Sequence, residues 1–243
     1  MIPKTIHYCW LSGDPFPPLI QNCIESWKRL LPDYEIKQWN LSNFDIESHP
    51  WVKEAFIAKK YAFAADYIRC YALYNEGGIY LDSDVEVLKS FDPLIHLPYF
   101  IGRENDGEVE AAVMGAEKGN LLFKILLEYY DKRHFNVNGR YDTRTLPNIM
   151  YEFMYRSFQV KSINGIAEFN PLKNELNVFP YDYFSPKSYK TGVLHITANT
   201  FSIHHFTASW HGRKEWLYEF VNKVIGERGA KFCSKVYKTL TKR

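Results

Sequence analysis

Apolar residues along this chain recur with two different periods, and the two take turns. Ile2, Ile6, Tyr8 and Trp10 alternate with smaller or polar residues, which predicts a first strand. Ser12-Gly13-Asp14-Pro15 and Pro17-Pro18 make a rigid loop after it. Ile20, Cys23, Ile24, Trp27, Leu30 and Leu31 then follow helical spacing, and Pro32-Asp33 stops the helix. Tyr34 to Trp39 reads as a second strand. Strand, helix and strand within residues 2–39 predict a βαβ unit and a parallel sheet.

The next helix covers residues 61–76 and is stopped by Gly77-Gly78. Ile79-Tyr80-Leu81 is a short buried strand, resumed over Val85 to Leu88 after Asp82-Ser83-Asp84. Residues 119–131 and 145–158 read as helices, with a polar, Gly/Asn-containing loop over His134 to Tyr141 between them. Short strands are expected at Leu176–Phe179 and Val193–Ile196, ahead of Ile203-His204-His205-Phe206-Thr207-Ala208-Ser209-Trp210. The pattern predicts one α/β domain over residues 1–212 and a helical tail over 213–243. In that tail Trp216, Leu217, Phe220, Val221, Val224 and Ile225 form an apolar face, and the cations beyond Glu227 meet no acidic residue. A basic amphipathic helix of this kind suits peripheral contact with an anionic membrane surface; packing on its own domain is the plainer alternative.

Composition narrows the picture. With 243 residues and ordinary apolar and charged fractions, the chain is a folded protein rather than a disordered one. A formal charge of +2 gives no case for nucleic acid as a partner. The four cysteines, Cys9, Cys23, Cys70 and Cys233, show no metal-binding spacing. The segment from Met1 to Ile6 lacks the features of a signal peptide, and no stretch approaches the roughly 20 apolar residues of a membrane span. A cytoplasmic setting, with peripheral contact on the inner membrane face through the tail, is the expectation. Aromatic residues make up 17% of the chain, more than a core needs if some rings stack on sugars or bases.

The chemistry concentrates around Asp82 and Asp84. Residues i and i+2 of a strand share a face, so the two carboxylates are expected to point the same way and hold a divalent cation against a diphosphate. An Asp-rich strand end is often only a turn or cap. A calcium loop is excluded, because its sixth position would be Val87 rather than Gly and its twelfth Pro93 rather than Glu. Asp66 and Arg69, three apart on the preceding helix, face one way among apolar residues, where unpaired charge is costly. They could form a bare ion pair, or hydrogen-bond sugar hydroxyls and phosphate. One of His204 and His205 is a natural third ligand, with His205 preferred, while His195 reads as a core residue. Ser209 and Trp210 could donate to a diphosphate, and Trp10 could lie beneath a nucleotide base at the carboxyl edge of the sheet.

Taken together, these residues resemble glycosyltransferase family 32, the DXD group of bacterial capsular enzymes and fungal initiating mannosyltransferases, and more distantly the catalytic domains of clostridial glucosylating toxins. The matching pieces are Ile2 to Trp10, Ser26-Trp27, Pro32 to Glu35, Tyr61-Ala62 with Asp66-Tyr67-Ile68-Arg69, Gly77 to Glu86, and His204-His205 with Ser209-Trp210. Ala65 stands where the family usually has Ser. The match is poor from 134 to 175, where an acceptor would bind. The resemblance implies a GT-A nucleotide-binding α/β sandwich, with a mostly parallel sheet and Mn²⁺ or Mg²⁺ under the diphosphate. It implies that Trp10 stacks the base, Asp82 touches ribose and sugar, Asp84 and His205 ligate the metal, Asp66 and Arg69 hold the donor sugar, and Trp210 donates to the leaving phosphate.

The expected reaction is transfer of a sugar from a nucleotide-sugar donor, with UDP favoured, to a hydroxyl of a glycan or lipid-linked glycan acceptor. Retention of configuration and a role in surface polysaccharide (capsule) synthesis are implied by the resemblance. Two alternatives belong to other classes: a metal-dependent phosphatase-like hydrolase, and a non-catalytic glycan-binding module.

Overall fold

The computed structural model describes residues 1–105 and 107–207. Ser209, Trp210, the expected boundary at 212 and the tail over 213–243 lie outside the described residues. In chain order β1 (Thr5–Cys9) leads through α1 (Pro18–Leu30) to β2 (Glu35–Trp39). Then α2 (Pro50–Ile57) and α3 (Tyr61–Asn75) precede β3 (Gly78–Leu81) and β4 (Val85–Val87). β5 (Tyr99–Arg103) and β6 (Val109–Ala116) come next, then α4 (Leu121–Tyr130), β7 (Asn136–Val137), β8 (Arg140–Tyr141) and α5 (Leu146–Ser157). β9 (Gln159–Ser162), β10 (Glu175–Val178) and β11 (Ser202–His204) complete the described elements.

The central sheet has the order β2-β1-β3-β6-β5. β1 pairs in parallel with both β2 and β3, as the strand–helix–strand reading of residues 2–39 requires. β6 runs antiparallel to both its neighbours, so four of the five strands point one way. The fold class is therefore α/β with a mostly parallel central sheet. Along β3, Ile79 and Leu81 enter one apolar layer and Tyr80 the other, so the sheet is buried on both faces. One layer is formed with α2, α3, α4 and α5 around Trp51, Phe63, Phe123 and Tyr130. The other packs α1 through Trp27 against β4 and against Phe91, Phe100 and Phe184.

The Gly77-Gly78 step is dictated by space as well as by conformation. Both residues have positive φ, at 71° and 101°. A Cβ at Gly78 would stand 2.7 Å from the Thr5 carbonyl oxygen and 2.9 Å from His7 Nε2. His7 is fully buried there: Nε2 bonds the Gly77 carbonyl at 2.8 Å, and Nδ1 accepts from the Trp39 indole at 3.2 Å. Helix α3 thus ends against the underside of β1, and β3 enters the sheet beside it.

Several expectations are revised. Val193–Ile196 is not a strand; its side chains are exposed, and a lone bridge joins Leu194 to Lys187. The segment expected as a loop over 134–141 holds the β7–β8 ribbon, turned at Asn138-Gly139 with φ of 53° and 80°. β4 does not resume β3 in the central sheet; it pairs antiparallel with β11.

Candidate active site

Asp82 and Asp84 follow the carboxyl end of β3, at the edge where open α/β sheets bind ligands. Strand alternation is not what brings them together. β3 ends at Leu81, and the chain makes a tight turn in which Val85 N–H donates to the Asp82 carbonyl at 3.0 Å. The turn folds the two carboxylates back towards one another. Its far side is fixed from α1: the Trp27 indole donates to the Val85 carbonyl at 2.7 Å, and Val87 N–H donates to Ser26 Oγ at 2.9 Å.

Arg69 projects from α3 under this turn, with a side chain only 6% exposed. Its guanidinium reaches Asp66 at 3.1 Å, Asp82 at 3.2 Å and the Ala111 carbonyl at 2.7 Å, and it lies over the Tyr80 ring at 4.6 Å. The bare i,i+3 ion pair is therefore one edge of a larger array in which a single cation links two carboxylates from different elements. The Tyr80 hydroxyl donates to Asp82 at 3.0 Å and limits how that carboxylate can turn. Asp66 also accepts from the Leu146 N–H at the start of α5.

The second histidine of the pair is not the one brought to the aspartates. In β11 Ile203 is paired with Glu86, and His205 shares that face; its Nε2 lies 3.0 Å from Glu86 Oε2. His204 points the other way, with Nε2 at 3.6 Å from Asp84 and Nδ1 at 3.6 Å from Glu110. One ligand atom from each of Asp82, Asp84 and His204 lies within 4.8 Å of the others. Two hard carboxylates with one imidazole make a donor set that fits Mn²⁺, or Mg²⁺ less well on account of the nitrogen. The expectation for His205 is thus replaced by His204, for the simple reason that neighbours on a strand face opposite sides.

Charge is concentrated here at low exposure. Burial raises the Asp66 carboxyl, against the pull of Arg69, to about 6. Burial also raises Asp82, opposed chiefly by Arg69 and reinforced by Asp84. At His204 burial disfavours the cation, but Asp84 and Glu110 outweigh it and lift the imidazole to about 10. Trp10 sits just past β1, partly exposed, with its indole donating to the Asp14 carbonyl at 2.7 Å and its edge against Phe16. β1 ends at Cys9 and pairs in parallel with β3, so Trp10 follows the same carboxyl edge of the sheet that Asp82 follows. The ring is therefore at the sheet edge where a base could lie on it.

Two contributors carried no sequence signal strong enough to single them out. Tyr80 looked like a core residue of an apolar strand. Glu110 stands inside the otherwise apolar stretch from Val109 to Ala116, and a lone acid in such a run is itself the sign of a buried partner.

Residues 17–101 match the family described as "Glycosyltransferase sugar-binding region containing DXD motif". The inositol phosphoceramide mannosyltransferase 3 of Schizosaccharomyces pombe is 32% identical over 146 residues, covering 58% of this chain and 41% of that protein. The mannosyl phosphorylinositol ceramide synthase SUR1 of Saccharomyces cerevisiae is 32% identical over 145 residues, covering 56% of this chain and 37% of that one. The chain thus spans about two-fifths of the length of these relatives. Solved structures resemble it distantly: the PaToxG glycosyltransferase has a TM-score of 0.47 at 18% identity, covering 64% of this chain and 68% of that one. A glycosyltransferase involved in glycosylation of the PBCV-1 major capsid has 0.46 at 16%, covering 84% and 94%. The matched residues contain the Asp82-Ser83-Asp84 turn and the Asp66–Arg69 helix that supports it, and over this stretch the chain is similar to the glycosyltransferases whose sugar-binding region carries the DXD motif.

Proposed function

We propose that the chain is a metal-dependent glycosyltransferase that moves a sugar from a nucleoside-diphosphate donor to a hydroxyl of a glycan or lipid-linked acceptor. The observation that carries this reading is the convergence of Asp82, Asp84 and His204 at the carboxyl edge of the sheet, beside the buried Asp66–Arg69 array. A divalent cation held by the three would supply Lewis-acid neutralisation of a departing diphosphate. The protein's own groups do the remaining work. Asp66 is ionised at neutral pH and, with Arg69 holding its position, offers an acceptor for sugar hydroxyls. Arg69, fixed by Ala111 and Tyr80, keeps a positive charge under the site, where negative charge develops as the diphosphate leaves. Asp82 is held by both Arg69 and Tyr80, so its carboxylate needs little reorganisation when the donor arrives. Trp10 offers a surface for the base.

A UDP-sugar remains the favoured donor. The names of the fungal relatives speak for mannosyl transfer to an inositol-containing sphingolipid, which supports a mannose donor and a lipid acceptor as the second reading. Transfer is proposed to retain the anomeric configuration. NMR of the product formed from a donor of known configuration tests this: the same anomer is expected, and an inverted product contradicts it.

A further inference from the structure

We propose that Glu110 is a positioning residue for the candidate metal site: its carboxylate takes the Nδ1–H of His204, leaving Nε2 to face Asp82 and Asp84. The inference rests on the metal-dependent reading of that site and adds to it a residue that makes no contact with a donor.

Three observations carry it. First, Glu110 is fully buried, and the two oxygens of its carboxylate are used differently. Oε1 accepts the Ala112 N–H at 2.6 Å, which fixes the group, while Oε2 has no hydrogen-bond partner and stands 3.6 Å from His204 Nδ1. Nδ1 is likewise buried and without a hydrogen-bond partner. Two orphaned, complementary atoms facing each other need only a small adjustment to form the bond, and leaving both buried and unpaired is costly. Second, Glu110 sits where β6 departs from regular pairing: Ile101 faces Met114, but Arg103 faces Val109, so the strand bulges between. A bulge redirects side chains and is frequent beside active sites. The same bulge presents the Ala111 carbonyl to Arg69 at 2.7 Å and the Ala112 carbonyl to the Asp82 N–H at 2.8 Å. One irregular segment thus addresses the arginine, the first aspartate and the histidine. Third, the imidazole is held from its other side by Phe206, a non-glycine residue with φ of 55° whose ring centroid lies 3.9 Å away.

A carboxylate behind a ligating histidine fixes its ring orientation and raises its basicity, and its loss typically weakens metal affinity 10–100-fold. The carboxylate of Glu104 also lies within 4.8 Å of the Glu110 and His204 ligand atoms, but it is partly exposed, whereas Glu110 is fully buried.

The test is Mn²⁺ titration of the intact chain by electron paramagnetic resonance, comparing wild type with Glu110→Gln, Glu110→Asp and Asp84→Asn. Glu110→Gln should weaken Mn²⁺ binding at least tenfold, with partial recovery in Glu110→Asp. Wild-type affinity in Glu110→Gln, alongside its loss in Asp84→Asn, overturns this inference and leaves the metal reading standing. Failure of the wild type to bind Mn²⁺ overturns both. Should Glu110→Gln not fold, ¹⁵N-histidine NMR of the wild type loaded with diamagnetic Zn²⁺ decides. A slowly exchanging Nδ1–H that disappears in His204→Gln is expected, and an Nε2–H in its place overturns the assignment.

Discussion

Asp66 shows how a single buried carboxyl ties stability to the candidate chemistry. Its folded pKa of about 6 lies above the ordinary 3.8, so the fold binds this proton more tightly than the unfolded chain does. Stability from this group is therefore present below about pH 4 and declines as pH rises towards 6, by on the order of 3 kcal/mol. Urea unfolding between pH 4 and 7 should show the decline in the wild type, and Asp66→Asn should flatten it. Donor binding should run the opposite way, strengthening as pH rises through about 6 and the carboxylate ionises. The histidines give a sharper discrimination. His204→Gln should lower Mn²⁺ affinity at least tenfold, whereas His205→Gln, which removes only the partner of Glu86, should leave it within about threefold. Equal losses in the two variants would contradict the assignment of faces in β11. In the sequence the pair was visible but the choice was not, because it depends on the register His204↔Val85, and that register is set by a strand more than a hundred residues away.

At the scale of elements, the strand–helix pattern read correctly wherever periodicity was strong and uninterrupted. α1, α3, β1 and β2 stand where alternation or helical spacing placed them. β5 and β6 were missed because every residue from Val109 to Ala116 is buried, so no polar face marks the period. The β7–β8 ribbon was signalled by Asn138-Gly139 and still read as a loop, because two residues on each side give no alternation to measure. The Asp82–Asp84 proximity was foreseen for the wrong reason: a turn, not a strand face, creates it. That turn depends on α1. Ser26→Ala leaves the buried Val87 N–H without its acceptor and should destabilise the fold by about 1–3 kcal/mol in urea unfolding. A change under about 0.5 kcal/mol would show that α1 does not brace β4 in this way.

For the molecule as a whole, the sheet gathers at one edge what the chain scatters over two hundred residues: Trp10 after β1, Asp66 and Arg69 from α3, Asp82 and Asp84 after β3, Glu110 from the bulge of β6 and His204 from β11. Charge balance explains why they come together in so little solvent. Without a bound metal ion, Arg69 and a protonated His204 balance Asp66, Asp82, Asp84 and Glu110, so removal of either strands negative charge that burial penalises. No helix among the described residues is long and apolar enough to cross a membrane.

The central claim is that a nucleoside diphosphate binds at this edge through a divalent cation held by the DXD turn. Thermal unfolding with UDP and with GDP, each with Mn²⁺ and with EDTA, on wild type and Asp84→Asn, tests it most directly. A ligand at about 100 times its dissociation constant adds roughly 2.7 kcal/mol, a shift of about 5–11 °C for a chain of this size. Mn²⁺-dependent stabilisation of the wild type by one nucleotide, lost in Asp84→Asn, is the predicted result and names the donor class. Stabilisation by neither nucleotide, or one that survives both EDTA and Asp84→Asn, would contradict the account.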